Sequence, residues 1–289
     1  MNNQQQNPSL CGYRVVAVIV TYNPDDRLLR SIHNIIHDVT AVVVVDNASE
    51  TDIMCFFDTN NPKYPNIHIM RFDTNRGLAY ALNTGVSFAI QKYAPDYVLT
   101  LDQDTIVLPN ILSTLFMKLK LVVSEKLGCI SLMALEELHD CYDFINVNYA
   151  MGSGCFVKSD VYSRVRYRED FFMDLIDHDF SYELRKLGYN ILLFTHKAIE
   201  HKLGRKFSFI TYEPGFRVYY IVRNSTILLR ERKMTLFTYL RYVVYFPMAL
   251  AITGQLLSSL HSTLSGIIDG MAGRVGLNNH FVPDTQKAL

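Results

Sequence analysis

At 289 residues, 49% of them hydrophobic and 12% aromatic, the chain can bury a large core and carry an appendage, which excludes a disordered or fibrous protein. Its 28 basic residues balance 28 acidic ones without a long basic run, which excludes nucleic acid as the main partner, because phosphate binding needs clustered Lys and Arg. Five scattered cysteines (Cys11, Cys55, Cys129, Cys141, Cys155) form no C-x-x-C pair, so neither a disulfide framework nor a thiolate zinc site is expected, and the chain reads as a protein of a reducing cytoplasm.

Residues 1–13 are polar and lack the charged-then-apolar order of a secretory signal, so they read as a disordered lead-in. From Arg14 the runs RVVAVIV, AVVVVD, IHIMRF and YVLTL read as buried strands, with amphipathic segments between the first two and the last two. That alternation predicts an α/β fold with a mostly parallel sheet flanked by helices. Asn23 is a candidate cap for the first helix, with Pro24, Asp25 and Asp26 suited to its first turn. A second helix is expected from Gly77, a third from Pro109, and a further one over Asp177 to Leu187, ended by Gly188.

Parallel sheets bind ligands at the carboxyl ends of their strands, and here those ends are polar. They read Thr21-Tyr22-Asn23, Asp46-Asn47, Asn75-Arg76-Gly77 and Asp102-Gln103-Asp104. Two carboxylates one residue apart at a strand end suit a divalent cation that grips phosphate, and equally a solvated turn. Asp46 is placed either to accept from a nucleobase imide or to cap its own turn. Asn75, Arg76 and Gly77 suit a diphosphate, or simply start a helix.

Taken together, VTYNP (20–24), VDNAS (45–49), NRGLAYALNTG (75–85), LTLDQDT (99–105), GSGCFVK (152–158) and FFMDLIDHDFSYELRKLGY (171–189) resemble glycosyltransferase family 2, with its GT-A fold, and in detail its bacterial rhamnosyltransferase branch. The resemblance implies that Thr21, Tyr22 and Asp46 hold the nucleoside, and Asn75, Arg76, Gly77, Asp102 and Gln103 are the further candidates for the nucleotide-sugar site. It further implies that Asp102 and Asp104 bind Mg²⁺ or Mn²⁺ and that His201 completes the metal shell, although a lone histidine equally serves as a structural hydrogen-bonding residue. Asp177 matches the catalytic base and Asp179 a following acid that orients the site. A carboxylate there can take the proton of an attacking hydroxyl, although acids at 177 and 179 also simply favour a helix start. Asp174 is a competing base, and Ile176 stands where an acid is common in the family, the one feature that favours a non-catalytic scaffold. The implied donor is dTDP-L-rhamnose, with UDP-galactofuranose, UDP-glucose and UDP-N-acetylglucosamine as alternatives. The implied acceptor is a saccharide on a polyprenyl diphosphate in O-antigen or related polysaccharide assembly; the GSGC turn and Phe171–Asp174 are acceptor-side candidates, or equally ordinary loops.

With the GT-A domain expected over 14–206, residues 207–289 form a helical extension. Six basic residues and one acid lie between Arg217 and Arg241, among many aromatics, which suits the anionic inner face of a membrane. Tyr242 to Ile268 carries no charge and exceeds the ~20 residues of a membrane span. Pro247, Gly254 and Gln255 favour interfacial helices or a homodimer contact instead.

Overall fold

The computed structural model describes residue 10 and residues 12–57, 66–122, 126–133, 142–201, 205–207 and 210–282. Most of the expected lead-in, Cys11, Cys141 and the stretch after His201 in the HKLG motif lie outside the described residues. Cys55, Cys129 and Cys155 are free thiols.

In chain order the elements are β1 (Val15–Thr21), α1 (Arg27–Ile35), β2 (Ala41–Asp46), β3 (Ile67–Arg71), α2 (Leu78–Tyr93), β4 (Tyr97–Asp102), β5 (Ile106–Val107), α3 (Ile111–Leu119), β6 (Leu127–Ser131), β7 (Phe144–Val147), β8 (Cys155–Lys158), α4 (Ser159–Tyr162), α5 (Ile176–Lys186), β9 (Asn190–Phe194), β10 (Ile199–Glu200), β11 (Arg205–Phe207), β12 (Ile210–Tyr212), α6 (Gly215–Arg230), α7 (Leu236–Ile252) and α8 (Leu256–Ala272). They divide into two compact units, Met1–Tyr167 with Phe180–Lys202, and Arg168–Asp179 with Leu203–Leu289.

The first unit is built on an eight-stranded sheet of order β3-β2-β1-β4-β8-β6-β9-β7. Its first four strands are parallel, as their apolar runs predict, and β1 and β2 are buried along their whole length. The other half is mixed. β8 runs antiparallel to both β4 and β6, and β7 antiparallel to β9. The register decides what the sheet edge presents: Thr21 pairs with Asp46, Val20 with Asp102, and Asp46 with Arg71.

The first helix starts later than its sequence signal predicts. Its N-cap is Asp26, without a side-chain cap bond. Asn23 is left-handed (φ 48°), and its side-chain oxygen accepts from Glu50 N at 2.8 Å, tying the β1 turn to the loop after β2. Asn and Asp tolerate that conformation because their short side chains bond locally.

In the second unit α6 is buried along most of its length, and it packs on α8 through glycines. A Cβ at Gly270 would lie 2.6 Å from Thr226 Cβ and 2.7 Å from Arg223 O, and one at Gly266 would lie 2.9 Å from Tyr219 O. Backbone atoms cannot swing aside, so Gly270→Ala is expected to cost about 1–3 kcal/mol. An unchanged thermal midpoint would show that this glycine does not set the spacing of the two helices.

The uncharged run 242–268 is not one helix. Pro247 lies inside α7, Gly254 has a left-handed φ of 87°, and the chain breaks at 253–255 before α8. Among the described residues no helix is long and apolar enough to cross a membrane.

Candidate active site

Three side chains separated by up to 99 positions in sequence meet beyond the end of β4. Asp102, Asp104 and His201 each offer a ligand atom, all within 4.8 Å of one another. His201 Nε2 lies 4.0 Å from Asp102 Oδ2, and its Nδ1 lies 3.5 Å from Asp104 Oδ1. Asp102 is at the last residue of its strand, and the antiparallel pairing of β10 with β5 brings the residue after Glu200 alongside Thr105.

A hydrogen-bonded chain braces this cluster from beneath. Asp102 N donates to Ser153 Oγ at 2.9 Å, Ser153 and Thr105 share a bond of 2.7 Å, and Thr105 Oγ1 meets His201 Nδ1 at 2.6 Å. Thr105 and Ser153 are buried. With Nδ1–H donating to Thr105, the Nε2 lone pair is the one left for a cation, the arrangement by which an outer hydrogen bond fixes a ligand imidazole. Ser153 is delivered by the GSGC turn. Gly154, left-handed at φ 72°, donates its N–H to Thr100 O at 2.8 Å, and Thr100 Oγ1 donates to Gly152 O at 2.6 Å. Two carboxylates and one imidazole of partial exposure are a donor set that fits Mg²⁺ or Mn²⁺.

Arg27 of α1 adds a positive charge at the rim, its Nη1 donating to Asp104 Oδ2 at 3.2 Å while it pairs with Asp25 at 2.7 Å. The hydrogen bond to Asp25 holds this guanidinium more firmly protonated; burial opposes that, and the charge of Asp104 reinforces it. Arg27 reads in the sequence only as part of an amphipathic helix.

The other strand ends are tied together. Tyr22 N donates to Gln103 Oε1 at 2.8 Å and Gln103 Nε2 returns a bond to Tyr22 O at 3.2 Å, locking the end of β1 to that of β4. Asp46 has no exposure. Thr21 Oγ1 donates to it at 3.1 Å, Ser49 Oγ and N bond to its carboxylate, and Arg71 Nε stands 3.4 Å away. The Ser49 bonds anchor the turn after β2 on the Asp46 carboxylate. Asn47 Nδ2 donates to Asn75 Oδ1 at 2.8 Å, and its Oδ1 accepts from Arg76 N at 2.9 Å. Arg76 then lies over the Tyr80 ring, 4.4 Å from its centroid, with Gly77 capping α2 at a left-handed φ of 84°.

Asp177 and Asp179 belong to the second unit as the chain divides, in the first turn of α5. Asp179 is buried and accepts from Lys233 Nζ at 2.7 Å, with Arg168 Nη1 at 3.7 Å. Burial works to raise the Glu231 carboxyl beside them, and Arg168 and Lys233 overcome it, holding that carboxyl below its usual range. The neighbour of Asp177, His178, bonds through Nε2 to Tyr242 OH at 2.6 Å. Burial, then the charge of Asp177, pushes the Tyr242 hydroxyl up to about 12.

Residues 16–121 match the family model for glycosyl transferase family 2. Over 91% of its length the chain is 24% identical to the dTDP-rhamnosyl transferase RfbF of Shigella flexneri, of which the match covers 97%. Among solved structures it is similar to the mannosyltransferase PcManGT of Pyrobaculum calidifontis in complex with GDP-Man and Mn²⁺, with a TM-score of 0.58 and 16% identity over 90% of this chain and 80% of that one. It is also similar to residues 1–349 of TarS from S. aureus in complex with UDP-GlcNAc, with a TM-score of 0.54 and 13% identity over 88% and 81%. These likenesses establish the α/β fold with GT-A-type relatives.

Proposed function

We propose that this chain, which carries a glycosyl transferase family 2 domain at residues 16–121, moves L-rhamnose from dTDP-L-rhamnose to a hydroxyl of a lipid-linked saccharide, by single displacement with inversion. The observation that carries the transferase reading is the braced cluster of Asp102, Asp104 and His201 at the edge where β1, β2 and β4 end. Rhamnose rests on the near full-length match to a dTDP-rhamnosyl transferase.

Asp102, Asp104 and His201 would hold a divalent cation, which when bound would neutralise the charge that builds on the departing diphosphate. Arg76 and the amide of Gly77 offer further positive ends to the same group, at the N-terminus of α2. Thr21, Tyr22 and Asp46 shape the nucleoside end, held in place by the Gln103 lock and the Ser49 and Arg71 contacts. Asp177 takes the proton of the acceptor hydroxyl as it attacks the anomeric carbon, and holding the reactants in line supplies the orientation component. Inversion converts a β-linked donor into an α-rhamnoside.

Calorimetry tests the donor. Binding of dTDP-L-rhamnose in Mn²⁺ or Mg²⁺, lost on adding EDTA, is the expected result, and preference for a UDP-sugar would sink the rhamnosyl reading while leaving the transferase.

The acceptor reading places the enzyme at the inner face of the membrane, as a peripheral protein. It is supported by the stripes that the C-terminal helices leave exposed, Phe237, Leu240, Val244 and Met248 on α7 and Leu257, Leu260, Leu264 and Ile268 on α8. Beside them Arg241 is exposed, and the only acid of these two helices, Asp269, is buried and paired with Arg274 at 2.8 Å. An apolar face with a cation beside it and no exposed acid suits anionic lipid. Sedimentation with vesicles containing anionic lipid, weakened by Leu257→Ser together with Leu264→Ser, is expected; a dimer by light scattering that never sediments would assign the face to a second copy.

A further inference from the structure

Just ahead of Asp177 the backbone takes a path that L-residues rarely adopt. Asp174 and Leu175 are consecutive, neither is glycine, and their φ values are 58° and 59°. In the left-handed region Cβ crowds the following carbonyl, so two such residues in a row persist only where their surroundings over-determine them.

Two side chains of α6 do so. Asn224 has no exposure, and its Nδ2 donates to two successive carbonyls of the turn, Met173 O at 2.7 Å and Asp174 O at 2.9 Å. Its Oδ1 accepts from Arg223 Nε at 3.0 Å, which settles which end of the amide faces the turn. Seven residues earlier, on the same face of α6, Arg217 forks onto the Asp174 carboxylate, Nη2 to Oδ1 at 2.5 Å and Nε to Oδ2 at 3.4 Å. The third arm of the guanidinium is anchored by Glu213 Oε2 at 2.8 Å.

The turn sets where α5 begins. Leu175 O accepts from Asp179 N at 3.2 Å, and Asp177 sits in that first turn. We infer that Asn224 and Arg217 are positioning residues of the transfer reaction: by clamping the left-handed pair Asp174-Leu175 they fix the point from which the Asp177 carboxylate reaches the acceptor hydroxyl. The inference rests on Asp177 being the base. It also gives Asp174 a different role from base, since both its oxygens are engaged by Arg217.

The test uses the full chain and dTDP-L-rhamnose, reading release of dTDP with water or a short alkyl rhamnoside as the acceptor, and donor affinity by calorimetry. Asn224→Ala and Arg217→Met are expected to lower kcat about 10–100-fold, the scale of loss from misplacing a catalytic group, with donor affinity within about twofold of wild type. Adding Leu175→Gly to Asn224→Ala recovers several-fold of the lost kcat, because glycine takes the left-handed path unaided. Arg217 is partly exposed, so its variant keeps the test open if Asn224→Ala does not fold. Wild-type turnover in both variants, beside an inactive Asp177→Asn, overturns the clamp and leaves the base reading standing. An active Asp177→Asn overturns the base reading and the clamp with it. Loss of donor binding in step with kcat, or no recovery with glycine, reduces the clamp to a structural role and also overturns it.

Discussion

Asp177→Asn is expected to lower kcat about 10²–10⁴-fold, the range that a positioned general base contributes, with donor binding and thermal midpoint close to wild type. Asparagine keeps the shape of the side chain and can still accept the His178 N–H, a contact of 2.9 Å in the wild type, so the start of α5 survives. It cannot take a proton. The nearby acids make the comparison decisive. Asp174 is held through both oxygens by Arg217, and Asp179 is buried against Lys233 and Arg168, so each already compensates a cation. Removing either carboxylate leaves buried or partly buried positive charge behind and is expected to lower stability as well as rate. A variant that loses turnover without losing stability is therefore the signature of the base, and it is expected at position 177. The same loss in Asp174→Asn, with Asp177→Asn active, would transfer the role to Asp174.

How far the sequence discloses this molecule follows from how local each feature is. β1, β2 and β4 are legible because their β-branched apolar runs stop abruptly at Thr21, Asp46 and Asp102, and parallel pairing then brings those ends to one edge. Asp-x-Asp at a strand end is legible for the same reason. The brace beneath it is not, because Ser153 and His201 lie 48 and 96 residues from Thr105 and the bonds among them exist only once β8 and β10 have paired. Arg27 is hidden by its helix: the periodicity that marks α1 says which residues face the core, and nothing about which exposed one reaches Asp104. The turn at Asp174-Leu175 leaves no trace at all. Left-handed backbone is ordinarily announced by glycine or asparagine, and here the signal is replaced by distant side chains on α6. The break at 253–255 is announced, by Gly254 and Gln255, and that announcement is what separates two helices from one continuous run.

The largest effect should come from the cation cluster. Asp104→Ala is expected to lower kcat/KM by about 10³-fold or more, comparable to the loss of a principal electrostatic stabiliser of the leaving group, and EDTA should reproduce it in the wild type. Free Mn²⁺ measured by its paramagnetic resonance signal separates this from a folding defect, since Asp104 is a surface-edge carboxylate whose side chain is 22% exposed and whose removal opens no core cavity. The two readings of His201 make different demands on the same measurement. As a ligand it should lose about 10–100-fold in Mn²⁺ affinity on His201→Ala, and Thr105→Val, which removes only the partner of Nδ1, should lose a part of that while leaving Nε2 in place. As a purely structural hydrogen-bonding residue, His201 would lower the thermal midpoint in both variants and leave Mn²⁺ affinity unchanged. Arg27→Ala provides the internal control of sign. Its guanidinium competes with a cation for Asp104 at 3.2 Å, so removing it should tighten Mn²⁺ binding to the apo protein. If Arg27 instead pairs with the donor diphosphate once the cation is bound, the same variant should weaken donor binding, and the two effects together would show one arginine exchanging a carboxylate for a phosphate as the site fills.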